Sequence, residues 1–180
     1  MAQTSHRSSA ATDRGAFPAR GHDHGLCVED ALAAAAEQCR RRGVRLTALR
    51  RRVLELVWLR HAPVGAYAVL EHLHRDGRRA APPTVYRALD FLVAHGLVHR
   101  VESLNAYVGC ADPGRPHAGQ FLICGGCGTA AELVAPDVTA AIATACDDAG
   151  FVARHVTLEV LGTCPACRRS GAGEDRDNDV

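Results

Sequence analysis

Apolar positions fall into helical stripes through the first half of the chain and into short alternating runs through much of the second. Val28, Leu32, Ala35 and Cys39 recur at helical spacing in an alanine-rich run, and Gly43 closes that helix. Thr47 is placed to cap the next one, in which Leu49, Val53, Leu56 and Val57 form a single apolar stripe. A third helix follows Pro63-Val64-Gly65, turns Val69, Leu70 and Leu73 towards a core, and stops before Asp76-Gly77. The fourth begins at Pro82-Pro83 and ends at Gly96, with Val85, Leu89, Leu92 and Val93 as its inward face.

The pattern then changes from helix to strand. Val98–Ser103 and Ala106–Cys110 are short strand-like runs about Leu104-Asn105, which predicts a hairpin with His99 opposite Cys110. Opposed residues on such a pair have Cβ atoms roughly 5 Å apart, so this imidazole and thiol could share a metal. After the loop 111–116, Gln120–Ile123 and Ala130–Val134 read as strands, Pro136–Asp148 as a helix closed by Gly150, and Phe151–Leu161 as a long strand. Short helices followed by a hairpin describe a winged helix-turn-helix. The expected class is therefore α+β. It has a polar tail over residues 1–25, a winged-helix unit over 26–110, a hinge over 111–116, a smaller α/β unit over 117–168 and a second polar tail over 169–180.

Two cysteine knuckles organise the second unit: Cys124-Gly125-Gly126-Cys127 and Cys164-Pro165-Ala166-Cys167, with thirty-six residues between them. A Cys-x-x-Cys turn brings two sulfurs to one metal about 2.3 Å away, and two such turns complete the tetrahedron that zinc favours. The competing readings are two redox motifs or two disulfides. The first would normally stand alone at a helix start, and the second needs an oxidising compartment. The N-terminus carries no apolar secretion signal and no run is long enough to span a membrane, so the expected location is the cytoplasm. Cys39 and Cys146 read as small core residues and Cys27 as uncommitted. His22-Asp23-His24 could catch a metal loosely, although a plain polar tail is the simpler reading.

Charge adds a partner. The net charge of +1 conceals thirteen Arg against eight acids in residues 26–104, a balance of +5, and five Arg against ten acids in residues 105–180, a balance of −5. A basic first unit is the footprint of a nucleic-acid reader. Arg50, Arg51 and Arg52 crowd the start of the second helix, where cations oppose the macrodipole unless an anion such as phosphate answers them. Thr84, Tyr86, Arg87 and Asp90 lie at or near the outward face of the fourth helix, close to its start. A recognition helix carries its base-reading side chains there, and Arg can grip guanine with two bonds. No nucleophile with a base and an orienter beside it can be assembled without dismantling the metal-type clusters, so neither an enzyme nor a small-molecule substrate is expected.

The runs Pro83-Thr84-Val85-Tyr86-Arg87-Ala88-Leu89-Asp90-Phe91-Leu92, Val98-His99-Arg100-Val101-Glu102-Ser103 and Tyr107-Val108-Gly109-Cys110, together with both knuckles, resemble the ferric uptake regulator family of bacterial metal-dependent repressors, and within it the zinc uptake regulators. The resemblance runs from about Leu26 to Cys167. It implies a homodimer with an N-terminal winged helix that binds double-stranded operator DNA, and a C-terminal dimerisation domain. It also implies two zinc ions per chain. One, structural, falls to Cys124, Cys127, Cys164 and Cys167. The other, regulatory, falls to His99, Cys110, His117 and Glu132 and bridges the two domains. Tyr67 and Arg87 fall on DNA-contacting positions. One departure is that the family's Leu-Thr-x-Gln-Arg reads Leu46-Thr47-Ala48-Leu49-Arg50 here. A thiolate among mixed donors suits zinc over iron or manganese. An iron or peroxide sensor of the same family, and a zinc-storing or thiol-redox protein without DNA binding, are the alternatives. His155 is read as structural.

Overall fold

The structure, a computed structural model, describes Phe17 and residues 24–60, 62–114 and 119–171. His117, His22, Asp23, the His24 side chain, most of the first tail and residues 172–180 lie outside the described residues. Four helices come first: α1 (His24–Arg41), α2 (Ala48–Trp58), α3 (Ala66–Arg75) and α4 (Pro82–Ala94). A two-residue strand, β1 (Val64–Gly65), sits between α2 and α3, and the hairpin β2 (Val98–Val101) and β3 (Ala106–Gly109) follows α4. These strands form one sheet in the order β1-β3-β2. The second sheet, ordered β5-β4-β6, contains β4 (Gly119–Cys124), β5 (Ala130–Glu132) and β6 (Thr157–Gly162). It is completed by α5 (Pro136–Asp148) and α6 (Pro165–Ser170).

The helical stripes produce the first core. Leu32, Ala35 and Cys39 from α1, Val53, Leu54 and Val57 from α2, Val69 and Leu73 from α3, and Val85, Leu89 and Leu92 from α4 are buried together. Thr47 caps α2 as expected, accepting from the Arg50 amide at 3.3 Å. Gly43 and Gly96 take positive φ angles of 64° just after α1 and α4, a conformation that glycine adopts without the Cβ penalty. The buried Gln38 ties α1 to the end of α4, its amide donating to the His95 carbonyl at 2.6 Å.

Several expectations are corrected. Val93 is 39% exposed, and Ala88 takes its place on the inward face of α4. The helix α1 starts at His24, ahead of the expected ordered start, and α6 continues to Ser170, into the expected second tail. The stretch 151–156 is not strand; β6 begins only at Thr157, where it finds β4 as a parallel partner. Cys146 is half-buried rather than core, since α5 buries none of its residues within the chain.

The hairpin register also differs, with His99 opposite Val108 and Arg100 opposite Tyr107. Residues 102–105 form the turn: Asn105 donates to the Glu102 carbonyl at 3.1 Å and takes the left-handed φ of 45°. The expected two-residue turn would have needed positive φ at both central positions, which Leu104 resists. The slip is of two residues, so side chains keep their faces, and Cys110 remains a diagonal neighbour of His99.

Candidate metal centres and nucleic-acid interface

The parallel pairing of β4 with β6 sets Cys124 opposite Gly162, so the second knuckle arrives beside the first. The Gly125 amide donates to the Gly162 carbonyl at 2.9 Å and holds the two chain segments together. Gly128, at φ 72°, turns the first knuckle back on itself through a 2.8 Å bond to the Cys124 carbonyl. The sulfurs of Cys124, Cys127, Cys164 and Cys167 lie within 4.8 Å of one another, and Cys127 Sγ is 3.8 Å from Cys164 Sγ. That separation is the edge of a tetrahedron with arms of about 2.3 Å, the zinc–sulfur distance.

The electrostatics fit a cation. Burial pushes the Cys124 thiol up, but amides, including that of Cys164 at 3.3 Å, more than reverse this and hold it down at about 6. Hydrogen bonding to Thr129 lowers Cys127 as well. Cys167 is pushed up to about 12, chiefly by its hydrogen bond with Cys164 and then by burial. Close-packed sulfurs cannot all ionise without positive charge among them, and a dication supplies that charge. All eight cysteines are unbridged, so the disulfide reading is set aside.

A second cluster forms where the hairpin meets the second sheet. His99 projects from β2 with its ring edge-on to Phe121 of β4, the centroids 5.4 Å apart. Its Nε2 lies 3.1 Å from Glu132 Oε1 on β5, and the two side chains are only 15% and 12% exposed. Cys110 follows β3 directly, anchored by its amide to the Leu97 carbonyl at 3.2 Å. The donor atoms of His99, Cys110 and Glu132 all lie within 4.8 Å of one another. Burial, and then the Glu132 charge, push the Cys110 thiol up to about 12. Imidazole, thiol and carboxylate in one half-dry pocket form a mixed donor set of the kind zinc takes. Three of the four expected donors therefore come together, from two different sheets. His155, by contrast, has its ring nitrogen 2.9 Å from the Thr157 hydroxyl and joins no such cluster among the described residues.

The side chains expected to contact DNA differ in their exposure. Tyr67 on α3 is 69% exposed, Tyr86 and Arg87 are exposed on α4, and Thr84 is half-buried at its first turn. Arg50 is placed differently. Its guanidinium carbon lies 3.6 Å from the centroid of the Phe91 ring, and its Nη1 donates to the Arg45 carbonyl at 2.7 Å. Sequence reasoning passed over Phe121 and Glu159. Phe121 stands opposite Glu132 on one side and Glu159 on the other. An alternating strand marks which face such a residue occupies, but gives no sign of its partner on another domain.

A winged-helix body joined to a cysteine-clasped sheet by a mixed His, Cys and Glu cluster defines a class of metal-type DNA-binding architecture. The sequence model of the ferric uptake regulator family matches residues 41–161, and the chain belongs to that family. The zinc uptake regulation protein of Escherichia coli (strain K12) is 42% identical over 141 residues, covering 78% of this chain and 82% of that protein. A zinc uptake regulator complexed with zinc and DNA superimposes with a TM-score of 0.77 at 41% identity, over 81% of this chain and 97% of that one. Holo XcZur gives 0.72 at 40% identity, over 82% and 99%.

Proposed function

We propose that the protein is a zinc-responsive transcriptional repressor, cytoplasmic and homodimeric, that binds double-stranded operator DNA when its regulatory site holds zinc and so controls genes of zinc uptake and homeostasis. The observation that carries this is the meeting of His99 and Cys110, from the hairpin, with Glu132, from the second sheet. His117 is the fourth donor of that site, and the four-cysteine cluster holds the second zinc of each chain. Bound zinc supplies a reversible cross-link between the two units.

The protein's own residues do the rest. His99 and Cys110 present their donors from one rigid hairpin, so that fixing them to Glu132 fixes the winged helix relative to the second sheet. Such a link favours the DNA-competent arrangement only by as much as that arrangement binds zinc better. Arg87, Tyr86 and Thr84 on α4 and Tyr67 on α3 are assigned the DNA contacts. Arg50 supports them by holding Phe91, and reaches phosphate only if that stack opens. The second unit supports dimerisation. Among the described residues α5 has no fully buried side chain and β6 is paired on one side only, and Val134, Phe151, Val152 and Leu161 are exposed around them. Among the described residues no helix is long and apolar enough to cross a membrane. The test is a titration of zinc, iron(II) and manganese(II) against binding to a duplex selected by the protein from a random pool. Zinc should give the tightest complex at the lowest free metal, and binding indifferent to metal would refute the reading.

A further inference from the structure

Phe121 lies in a row of three across the second sheet, directly between Glu132 on β5 and Glu159 on β6. Laterally paired residues share a face, so all three side chains are directed to the side where Phe121, Ile123 and Ala130 pack against Val101 and Val108 of the hairpin. The hairpin is thus flanked by two carboxylates. Glu132 meets His99. Glu159 reaches the tip: its Oε1 accepts from the Glu102 amide at 2.6 Å and its Oε2 from the Ser103 amide at 3.1 Å. Burial tends to raise the Glu159 carboxyl, but the Ser103 and Glu102 donors outweigh it and hold the group below the ordinary glutamate range. The two amides belong to the turn's backbone and the Ser103 side chain adds a further hydrogen bond, so the contact depends on the hairpin's shape and on the serine at its second position.

We propose that Glu159 is a metal-independent latch that holds the hairpin tip against the second sheet and thereby lowers the zinc concentration needed to fill the regulatory site. The inference rests on the regulatory site proposed above. Two anchors on either side of the Val101–Phe121 contact hold the hairpin where His99, Cys110 and Glu132 converge. A site assembled in advance binds with less loss than one that must first find its donors. Glu159 acts through the hairpin and is a positioning residue; it is not a zinc ligand.

The full-length protein tests this in two readouts that need no DNA. Glu159→Gln keeps the length of the side chain but loses its charge and one acceptor. Ser103→Pro removes both the amide and the hydroxyl of Ser103 and leaves the Glu102 amide, at the second position of the turn, where proline is favoured. Amide exchange at Glu102 should accelerate by roughly tenfold in Glu159→Gln, as for loss of a charge-assisted bond, while β4 and the cysteine knuckles keep their protection. Competition with a zinc-chelating dye should show the more weakly held zinc loosened several-fold in both variants, with total zinc at saturation unchanged. Combining the two substitutions should add little to either alone, because they break the same contact. Unchanged exchange, or accelerated exchange with unaltered zinc affinity, would overturn the proposal. Operator binding measured in parallel bears on the repressor reading instead: failure of the wild-type protein to bind DNA with zinc would remove that reading, while exchange and competition still decide the latch.

Discussion

The His99 imidazole of the hairpin and the Glu132 carboxylate of the second sheet stand 3.1 Å apart, at the junction where Val101 and Val108 of the hairpin pack against Phe121, Ile123 and Ala130 of that sheet. The all-cysteine cluster has no such bridging position; it ties β4 to the end of β6 within one sheet. The two clusters therefore have different consequences when broken.

Loss of a cysteine from the four-sulfur cluster should undo the second unit. A structural zinc contributes on the order of 10 kcal/mol or more to folding, and removing one ligand forfeits much of it. Cys124→Ser or Cys167→Ser is expected to give a chain that loses zinc, fails to dimerise in sedimentation and melts without a cooperative transition. A normal dimer retaining two zinc ions per chain would show that the cluster is not structural.

The backbone of β3 passes so close to α2 that a side chain at Gly109 has no space. A Cβ built there overlaps the Trp58 indole. Gly109→Ala should therefore displace Trp58 and destabilise the helical unit by about 1–3 kcal/mol, the usual cost of overpacking. Tryptophan fluorescence during urea unfolding reports both effects, since Trp58 is the chain's one tryptophan.

Arg52 grips Asp76 with two bonds, of 2.6 and 3.1 Å, and pairs with Glu55 at 3.0 Å. Its hydrogen bonds hold the Asp76 carboxyl below the ordinary aspartate value. A lowered folded pKa means stability that is present above the unfolded value, near 4, and is lost as pH falls through the folded one. Asp76→Asn should accordingly be less stable than wild type at pH 7, and the gap should close below pH about 4. Comparing the two proteins at each pH cancels the loss of zinc that both suffer in acid. A gap that persists unchanged at low pH would exclude this origin.

Arg87 is exposed near the start of α4. If it grips a base, Arg87→Ala should cost roughly 1–3 kcal/mol of operator binding and relax preference at one position of each half-site. Uniform weakening on all duplexes would instead make it a phosphate contact.

Much of this architecture is legible in the residues because local signals and burial agree. Thr47 caps α2, Pro82 opens α4, and the knuckle spacing brings four sulfurs together without any knowledge of the intervening chain. The hairpin shows why a flawed reading can still find a site. His99 pairs with Val108 rather than Cys110, yet a slip of two residues leaves every side chain on its own face. Other features carry no local signal. The two residues of β1 are too few for a pattern, and Val93 is exposed although it lies beside the apolar stripe of α4. The bond from Glu159 to Glu102 joins residues 57 apart in sequence through a backbone amide, which no side-chain pattern records.

The most direct measurement is zinc content and operator binding on one purified Cys110→Ser variant. Its buried thiol is the donor that a serine cannot replace as a zinc ligand, while the change in volume is small. The expected result is a folded dimer with about one zinc per chain, held by the four-cysteine cluster, that gains no DNA affinity when zinc is added. A Cys110→Ser dimer that still binds its operator in response to zinc would contradict the assignment of His99, Cys110 and Glu132 as the sensing site.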